Sequence, residues 1–169
     1  IISLDGGAQR YDEDMKPITE LSHVVIVARD YAEKYTGTTN LEEACRIIHD
    51  RGALIAGVTD GANGSYFVWP DGTAYRCQPF PQEHVVDTTG AGDSFHGAFL
   101  SKLAASIRRV YASHDEFVQP IDILRGLETK QLEAAAIFAS AVSALNTQSI
   151  GGRSALPSLQ TALSLAGLE

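Results

Sequence analysis

Asp87-Thr88-Thr89-Gly90-Ala91-Gly92-Asp93, running on into Ser94-Phe95-His96-Gly97-Ala98-Phe99, is the stretch from which the rest of the chain is best read. Gly90 and Gly92, separated by one small residue, precede an apolar, helix-like segment, with Asp87 and Asp93 on either side. Glycine lets the backbone take positive φ and lets a ligand come close to the main chain. A helix that starts just behind such a turn points unpaired N–H groups and the positive end of its dipole into it. The combination predicts an anion pocket, with Asp93 at its rim placed to take a proton from a nucleophile attacking that anion. Asp87 precedes the turn, and its plain reading is a carboxylate hydrogen-bonded to turn amides.

Outward from this stretch, the elements alternate. Downstream, the glycine turn opens a helix from about Asp93 to Val110, followed by a polar loop around Ser113 to Asp122. Glu128 to Leu145 is a long Ala-rich helix, and Pro157 is expected to begin a last one through Leu165. Upstream, Ser65–Trp69 and Ala74–Cys77 flank Pro70-Asp71-Gly72-Thr73, a strong hairpin signal. Ala53–Thr59 and His23–Ala28 are apolar and rich in β-branched residues, as strands covered on both faces are. Ile1–Leu4 predicts a shorter strand that stops at Asp5-Gly6-Gly7. Between them, Asp30–Tyr35 reads as a short helix ended by Gly37. Thr39 with Glu42, or Asn40 with Glu43, makes a capping box for a second, whose stripe is Leu41, Ala44, Cys45 and Ile48 and whose stop is Gly52. Strands alternating with helices predict an α/β fold, a mostly parallel sheet with helices on both faces.

Two further stretches carry chemistry. Val58-Thr59-Asp60-Gly61-Ala62-Asn63-Gly64-Ser65 follows a strand, where ligands of open α/β sheets gather. Thr59 offers a hydroxyl there, and Gly61 and Gly64 let amides approach phosphate oxygens. Asn146-Thr147-Gln148-Ser149-Ile150-Gly151-Gly152-Arg153 closes the Ala-rich helix, and its glycines read by default as a C-terminal cap.

Composition bounds the reading. At 169 residues the chain has the length of one domain, and 44% hydrophobic with 20% charged residues is ordinary for a globular protein. A net charge of −8 with no basic cluster argues against a nucleic-acid or membrane-surface binder; Arg108-Arg109 reads as a solvated helix end. No stretch approaches the roughly 20 apolar residues of a membrane span. Ile1-Ile2-Ser3-Leu4-Asp5 has none of the charge pattern of a signal peptide. Cys45 and Cys77 are isolated thiols without metal-ligand spacing; Cys45, on an apolar helix stripe, reads as a small core residue, a disulfide between the two is the less favoured alternative, and the cytoplasm is the natural compartment. His96 falls on the first turn of the glycine-turn helix, where a packed histidine is the plainer reading; Trp69, Tyr66 and Phe67 read as core or hairpin contacts.

The string from Asp87 to Asp93, with Phe95 and Gly97-Ala98 after it, resembles the second signature of the ribokinase-like (PfkB) carbohydrate kinases. That resemblance implies a ribokinase-like three-layer α/β sandwich that uses ATP and Mg²⁺ to phosphorylate a hydroxyl of a sugar or sugar-like substrate. In its terms, the amides of Gly90, Ala91 and Gly92 are an anion hole for the transferring phosphoryl group, and Asp93 is the general base. Thr59, Gly61 and Gly64 would meet the nucleotide phosphates, and the loop containing Gly151 would lie along the adenine. Asp87, the backbone of Thr89, and Ser149 would hold a monovalent cation, K⁺, with Ser154 nearby. The stretches Phe95–Phe99 and Leu145–Arg153 are most similar to the sulfofructose-kinase-like branch of bacterial sugar kinases.

The resemblance has two departures. The family's Asn-x-x-Glu element, which helps organise Mg²⁺, falls here on Ala28 and Tyr31, with Asp30 and Glu33 as neighbouring carboxylates. Residues 1–169 also correspond only to the C-terminal, nucleotide-binding and catalytic part of such a kinase. The N-terminal half, with the lid and most sugar contacts, has no counterpart among them. A surface left uncovered in that way favours pairing into a homodimer. It also keeps open a non-catalytic nucleotide-binding or interaction module, and a hydrolase in which Asp93 activates water.

Overall fold

The structure is a computed structural model, and it describes residues 1–114 and 116–168. In chain order the elements are β1 (Ser3–Gly6), α1 (Lys16–Leu21), β2 (Val24–Ala28), α2 (Arg29–Thr36), α3 (Leu41–Asp50) and β3 (Ile55–Thr59). There follow β4 (Ser65–Val68), β5 (Ala74–Cys77), α4 (Ala91–Ala112), α5 (Pro120–Arg125), α6 (Thr129–Asn146) and α7 (Leu159–Ala166). The strands form one sheet in the order β1-β2-β3-β4-β5. β1, β2 and β3 run parallel, so Gly6, Ala28 and Thr59 all come to one edge. The hairpin β4–β5 continues the sheet antiparallel, with Ser65 opposite Thr59.

Strand alternation sends side chains to two cores. Val25, Val27, Ala56, Val58 and Val68 pack under α2 and α3 against Tyr31, Tyr35, Cys45 and Ile48. Val24, Ile26, Ile55, Phe67 and Trp69 pack under α4 and α6 against Phe95, Phe99, Leu132 and Ala136. Phe67 stacks on Trp69 at 4.7 Å and on Phe99 at 5.6 Å, so Phe67 and Trp69 are core, while Tyr66 is partly buried against the cluster on the other face. Alanines at 135, 136 and 139 let α6 lie close to α4. The expected mostly parallel sheet with helices on both faces is the observed one.

Local chemistry accounts for the boundaries. Asn40 caps α3, its Oδ1 accepting from the Glu43 amide at 3.1 Å, but the expected box is only half closed: the Glu43 carboxylate accepts from the Thr38 hydroxyl at 2.7 Å, and the Asn40 amide donates to Thr38 Oγ1 at 3.2 Å. Gly37 takes φ 80° as the C-cap of α2. Glu128 and Gln131 close a reciprocal capping box on α6. Cys45 and Cys77 are buried free thiols, and burial pushes them up to about 12 and about 11.

Four expectations need correction. The first strand starts at Ser3, because Ile1 and Ile2 stay half exposed. Pro157 does not begin the last helix: Ser158 caps it, accepting from the Thr161 amide at 3.1 Å. The polar stretch from Ser113 to Asp122 is cut short by α5, whose Ile123 and Leu124 are buried; Asp115 in that stretch lies outside the described residues. Residues 16–21, given no element from sequence, form α1, with Thr19 Oγ1 hydrogen-bonded to Tyr31 Oη at 2.7 Å.

Candidate active site

Three loops meet at the edge where the parallel strands end. The first leaves β3 as a tight turn at Gly61–Asn63, closed by the Asp60 amide donating to Gly64 O at 2.8 Å. Gly64 has φ +88°, and a Cβ there would run into the Cys77 carbonyl, so the turn can sit against β5 only with glycine. Thr59 stands at its base, its hydroxyl donating to Val27 O at a long 3.4 Å.

The second loop runs from Val85 to the start of α4. The Val86 amide donates to Thr147 O at 2.8 Å. Asp87 Oδ1 accepts from the Thr89 amide and Oδ2 from the Gly151 amide, each at 2.8 Å. One carboxylate therefore folds its own turn and ties it to the third loop. Gly90 caps α4 in the left-handed region at φ 74°. The Ala91 amide turns back to Thr88 O at 3.1 Å. Among the described residues no acceptor faces the amides of Gly90, Gly92 or Asp93.

The third loop, 147–153, follows α6. Asn146 is fully buried, and its Nδ2 donates to Gly152 O at 2.9 Å and to Gly90 O at 3.4 Å. It braces both glycine loops, and its Oδ1 is left buried without a partner. Sequence reasoning assigned Asn146 no role; a buried amide ending a helix of alanines is the signal that marks it. Ser149 makes no hydrogen bond to Asp87 or Thr89 among the described residues. Ser154 Oγ lies 3.1 Å from where a Gly151 Cβ would stand.

Between the loops lies a cleft of about 430 Å³. Thr59, Gly61 and Gly64 line it from one side, Ala91, Gly92 and Phe95 from another, and Ser140, Ser143 and Thr147 of α6 and its end from a third. Pro79, Phe80 and Pro81 supply an apolar wall. Gln82 joins that wall to the third loop, its Oε1 accepting from Gln148 Nε2 at 2.6 Å. The cleft thus brings together Thr59, Gly61, Gly64, Ala91 and Gly92. Gly90, Asp87, Thr89 and Gly151 stand just behind it as the hydrogen-bonded frame.

Asp93 is exposed on the first turn of α4, outside the cleft lining and toward β1. The neighbouring His96 is packed, 8% exposed, with Nε2 3.0 Å from Ser3 Oγ. Burial pushes the His96 ring below its ordinary 6.5, against the pull of Asp5 and Asp93. Burial raises the Asp5 carboxyl; His96 opposes that shift and Asp93 adds to it. The amides of Gly151 and Thr89 hold Asp87 below its ordinary 3.8. A depressed carboxyl keeps its contacts above the unfolded value and loses them as pH falls through the folded one. The Gly151 amide proton followed by NMR is therefore expected to move with a midpoint below the ordinary 3.8 of an aspartate; a midpoint above it would contradict the tie.

The carboxylates that stand near the missing Asn-x-x-Glu element are already engaged. Asp30 Oδ2 accepts from the Gln9 amide. Glu33 Oε1 accepts from Arg29 Nε at 2.7 Å, and Arg29 Nη1 reaches Asp60 Oδ2 at 3.2 Å. Among the described residues no group of three or more His, Cys, Asp or Glu could hold a metal ion.

The model of the pfkB family carbohydrate kinases matches residues 2–159. The chain belongs to that family. This pfkB-family chain is 37% identical over 81 residues to the bifunctional ribokinase/ribose-5-phosphate isomerase A of Fructilactobacillus sanfranciscensis, covering 45% of the chain and 15% of that protein. Among solved structures it is similar to a fructokinase double mutant of Vibrio cholerae O395 bound to fructose, ADP and potassium ion, with TM-score 0.72 and 22% identity, covering 97% of the chain and 49% of that one. It is likewise similar to the ribokinase of Giardia lamblia, with TM-score 0.76 and 18% identity, covering 96% of the chain and 49% of that one. These likenesses show the ribokinase fold, over about half the length of the solved relatives.

Proposed function

We propose that this chain carries the nucleotide-binding and catalytic part of an ATP-dependent kinase that phosphorylates a hydroxyl of a sugar or sugar-like acceptor. One observation carries the reading: α4 begins at a glycine turn with amides free of partners, the Gly92 turn opens into the cleft that Gly61 and Gly64 also line, and Asp93 stands beside it. A helix N-terminus of this kind stabilises negative charge. Phosphoryl transfer develops its charge on the equatorial oxygens, so positioning and fixed dipoles do most of the work. The amides of the Gly90-Ala91-Gly92 turn take those oxygens, and the Gly90, Gly92 and Asp93 amides are the ones with donors to spare. Asp93 takes the proton of the acceptor hydroxyl as its oxygen bonds to the γ-phosphorus and the bond to the leaving ADP oxygen breaks.

The cleft suits a nucleotide, with an apolar wall at Pro79–Pro81 for a base and glycine loops for phosphates. Gly151, held by Asp87, borders the adenine side in this proposal. Mg²⁺ would neutralise the phosphates, bound chiefly through them, since Asp30 and Glu33 are engaged elsewhere. K⁺ would lie against Asp87, Thr89 and Ser149; Asp87 is held as a carboxylate, the donor a hard cation takes. Among the described residues no helix is long and apolar enough to cross a membrane; a cytoplasmic location belongs to this reading. Because the chain spans 49% of the fructokinase, a module that binds nucleotide without transferring phosphate is the second reading.

A thermal melt of the chain with and without millimolar ATP and Mg²⁺ tests the shared premise. A ligand that binds only the native state stabilises it by about 2.7 kcal/mol at a hundred times its Kd. A clear rise that AMP does not give is expected. Labelled ATP with a panel of ketoses, aldoses and nucleosides then separates kinase from binding module. A melt that ATP leaves unmoved would overturn both.

A further inference from the structure

We infer that Ser140 and Ser65 read the base of the phosphoryl donor: Ser140 Oγ accepts from an exocyclic amino group and Ser65 Oγ donates to the ring nitrogen beside it, so the cleft takes a 6-aminopurine and turns away a 6-oxopurine. The inference rests on the nucleotide reading above and adds to it the residues that choose the base.

The α6 wall of the cleft is where hydroxyl protons are used up. Ser140, Ser143 and Thr147 follow one another at the spacing of a single helix face, and all three line the cleft. A serine within a helix often turns its hydroxyl back to the carbonyl four residues earlier. Neither serine does so here. Ser140 Oγ donates to Gln78 O at 3.2 Å and Ser143 Oγ to Ala91 O at 2.8 Å, each across the fold. Thr147 Oγ1 donates to Ala144 O at 2.7 Å. A hydroxyl has one proton and two lone pairs. With its protons spent on carbonyls, this wall presents lone pairs and favours a ligand edge that carries N–H. Ser140 decides which edge, because its bond to Gln78 sets it beside Pro79–Pro81, the wall proposed for the base.

Ser65 faces Ser140 from the sheet. It shares the α4–α6 side of β4 with Phe67, stands opposite Cys77 on β5, and lines the cleft. Cys77 precedes Gln78, so the two serines approach the same end of β5, one from β4 and one from α6. Ser65 is 1% exposed, and among the described residues its Oγ has no hydrogen-bond partner. Buried hydroxyls are as a rule paired, because an orphan has given up water for nothing. The cleft is the open space that Ser65 borders, so its partner is a group that enters there. Unlike Ser140, it still has its proton to give. An acceptor-only hydroxyl beside a free one matches the amino group and adjacent ring nitrogen of adenine. Hypoxanthine would instead set a carbonyl oxygen against the lone pairs of Ser140.

Isothermal titration calorimetry with Mg²⁺ and either ATP or inosine triphosphate (ITP), on the wild type, Ser140→Ala and Ser65→Ala, tests the assignment. The wild type is expected to bind ATP about ten- to a hundredfold more tightly than ITP, the worth of a lost hydrogen bond and a carbonyl left facing lone pairs. Ser140→Ala should bring the two affinities within about threefold of each other. A wall that had merely collapsed would weaken both nucleotides alike and keep the ratio, which would overturn the role of Ser140. Ser65→Ala should melt at or above the wild type without nucleotide, since an unpartnered buried hydroxyl has gone, yet bind ATP about three- to tenfold more weakly. Unchanged ATP affinity in Ser65→Ala would overturn the role of Ser65. Equal affinity of the wild type for ATP and ITP would overturn the inference and leave the nucleotide reading standing. Binding of neither would overturn both. Selective ATP binding with no transfer to any acceptor would instead remove the kinase reading and leave the base assignment in place.

Discussion

Asp93→Asn is expected to lower phosphoryl transfer by about 10²–10⁴-fold, the usual worth of a general base, while leaving ATP affinity close to wild type. The separation follows from position. Asp93 is exposed on the first turn of α4 and does not line the cleft, so no nucleotide contact goes with its charge. Asparagine keeps the shape and the backbone amide that faces the anion; it removes only the ability to take a proton. A carboxylate in a first helical turn also interacts favourably with the dipole, so a stability loss of about 0.3–1 kcal/mol is expected. ATP-dependent melting should then rise as in the wild type, while single-turnover transfer from labelled ATP collapses. Activity within about tenfold of wild type would mean that the proton leaves by another route. A lost ATP response would mean instead that Asp93 shapes the phosphate site.

Local signals made much of this architecture legible. The β-branched run at His23–Ala28 became β2, and Pro70-Asp71-Gly72-Thr73 became the hairpin turn, because each is decided within a few residues. Asn40 before Glu43 marked the start of α3 for the same reason. The glycines at 61, 64, 90 and 151 all have positive φ, and their spacing on the page was the chief sign of a site. What stayed hidden depends on distant partners. Ser3 meets His96 across 93 positions, and nothing near either residue announces it. Asn146 looks like an ordinary helix end until Gly90 and Gly152 are seen on either side of its amide. Lys16–Leu21 carried no element in the sequence reading because six residues starting beside a proline are too few for a helical period to show. Pro157 looked like a helix start, yet Ser158 supplies the side-chain oxygen that the amide of Thr161 needs.

Gly90→Ala should be the most damaging single methyl in the site. Gly90 has φ +74°, and an added Cβ would stand 2.5 Å from Gly152 O and 2.6 Å from Gly152 Cα. Those are backbone atoms, themselves held by Asn146, and cannot swing away as a side-chain tip would. Left-handed backbone without glycine costs about 1–3 kcal/mol, and overpacking adds about 1–3 more. A loss of roughly 2–6 kcal/mol is expected, a fall in melting temperature of roughly 5–20 °C for a chain of this size. If the loop yields instead, the 151–152 segment must move off Gly90, breaking the Asp87–Gly151 tie and the anion pocket together, so the ATP-induced rise in melting temperature vanishes. Gly97→Ala is the matched control: it lies on the same helix, and its Cβ would meet nothing within 4 Å. There alanine should stabilise, by up to about 1 kcal/mol, because glycine is a poor helix former. A Gly90→Ala chain that melts with the wild type and still responds to ATP would show that the close approach of the two glycine loops is not what builds the site.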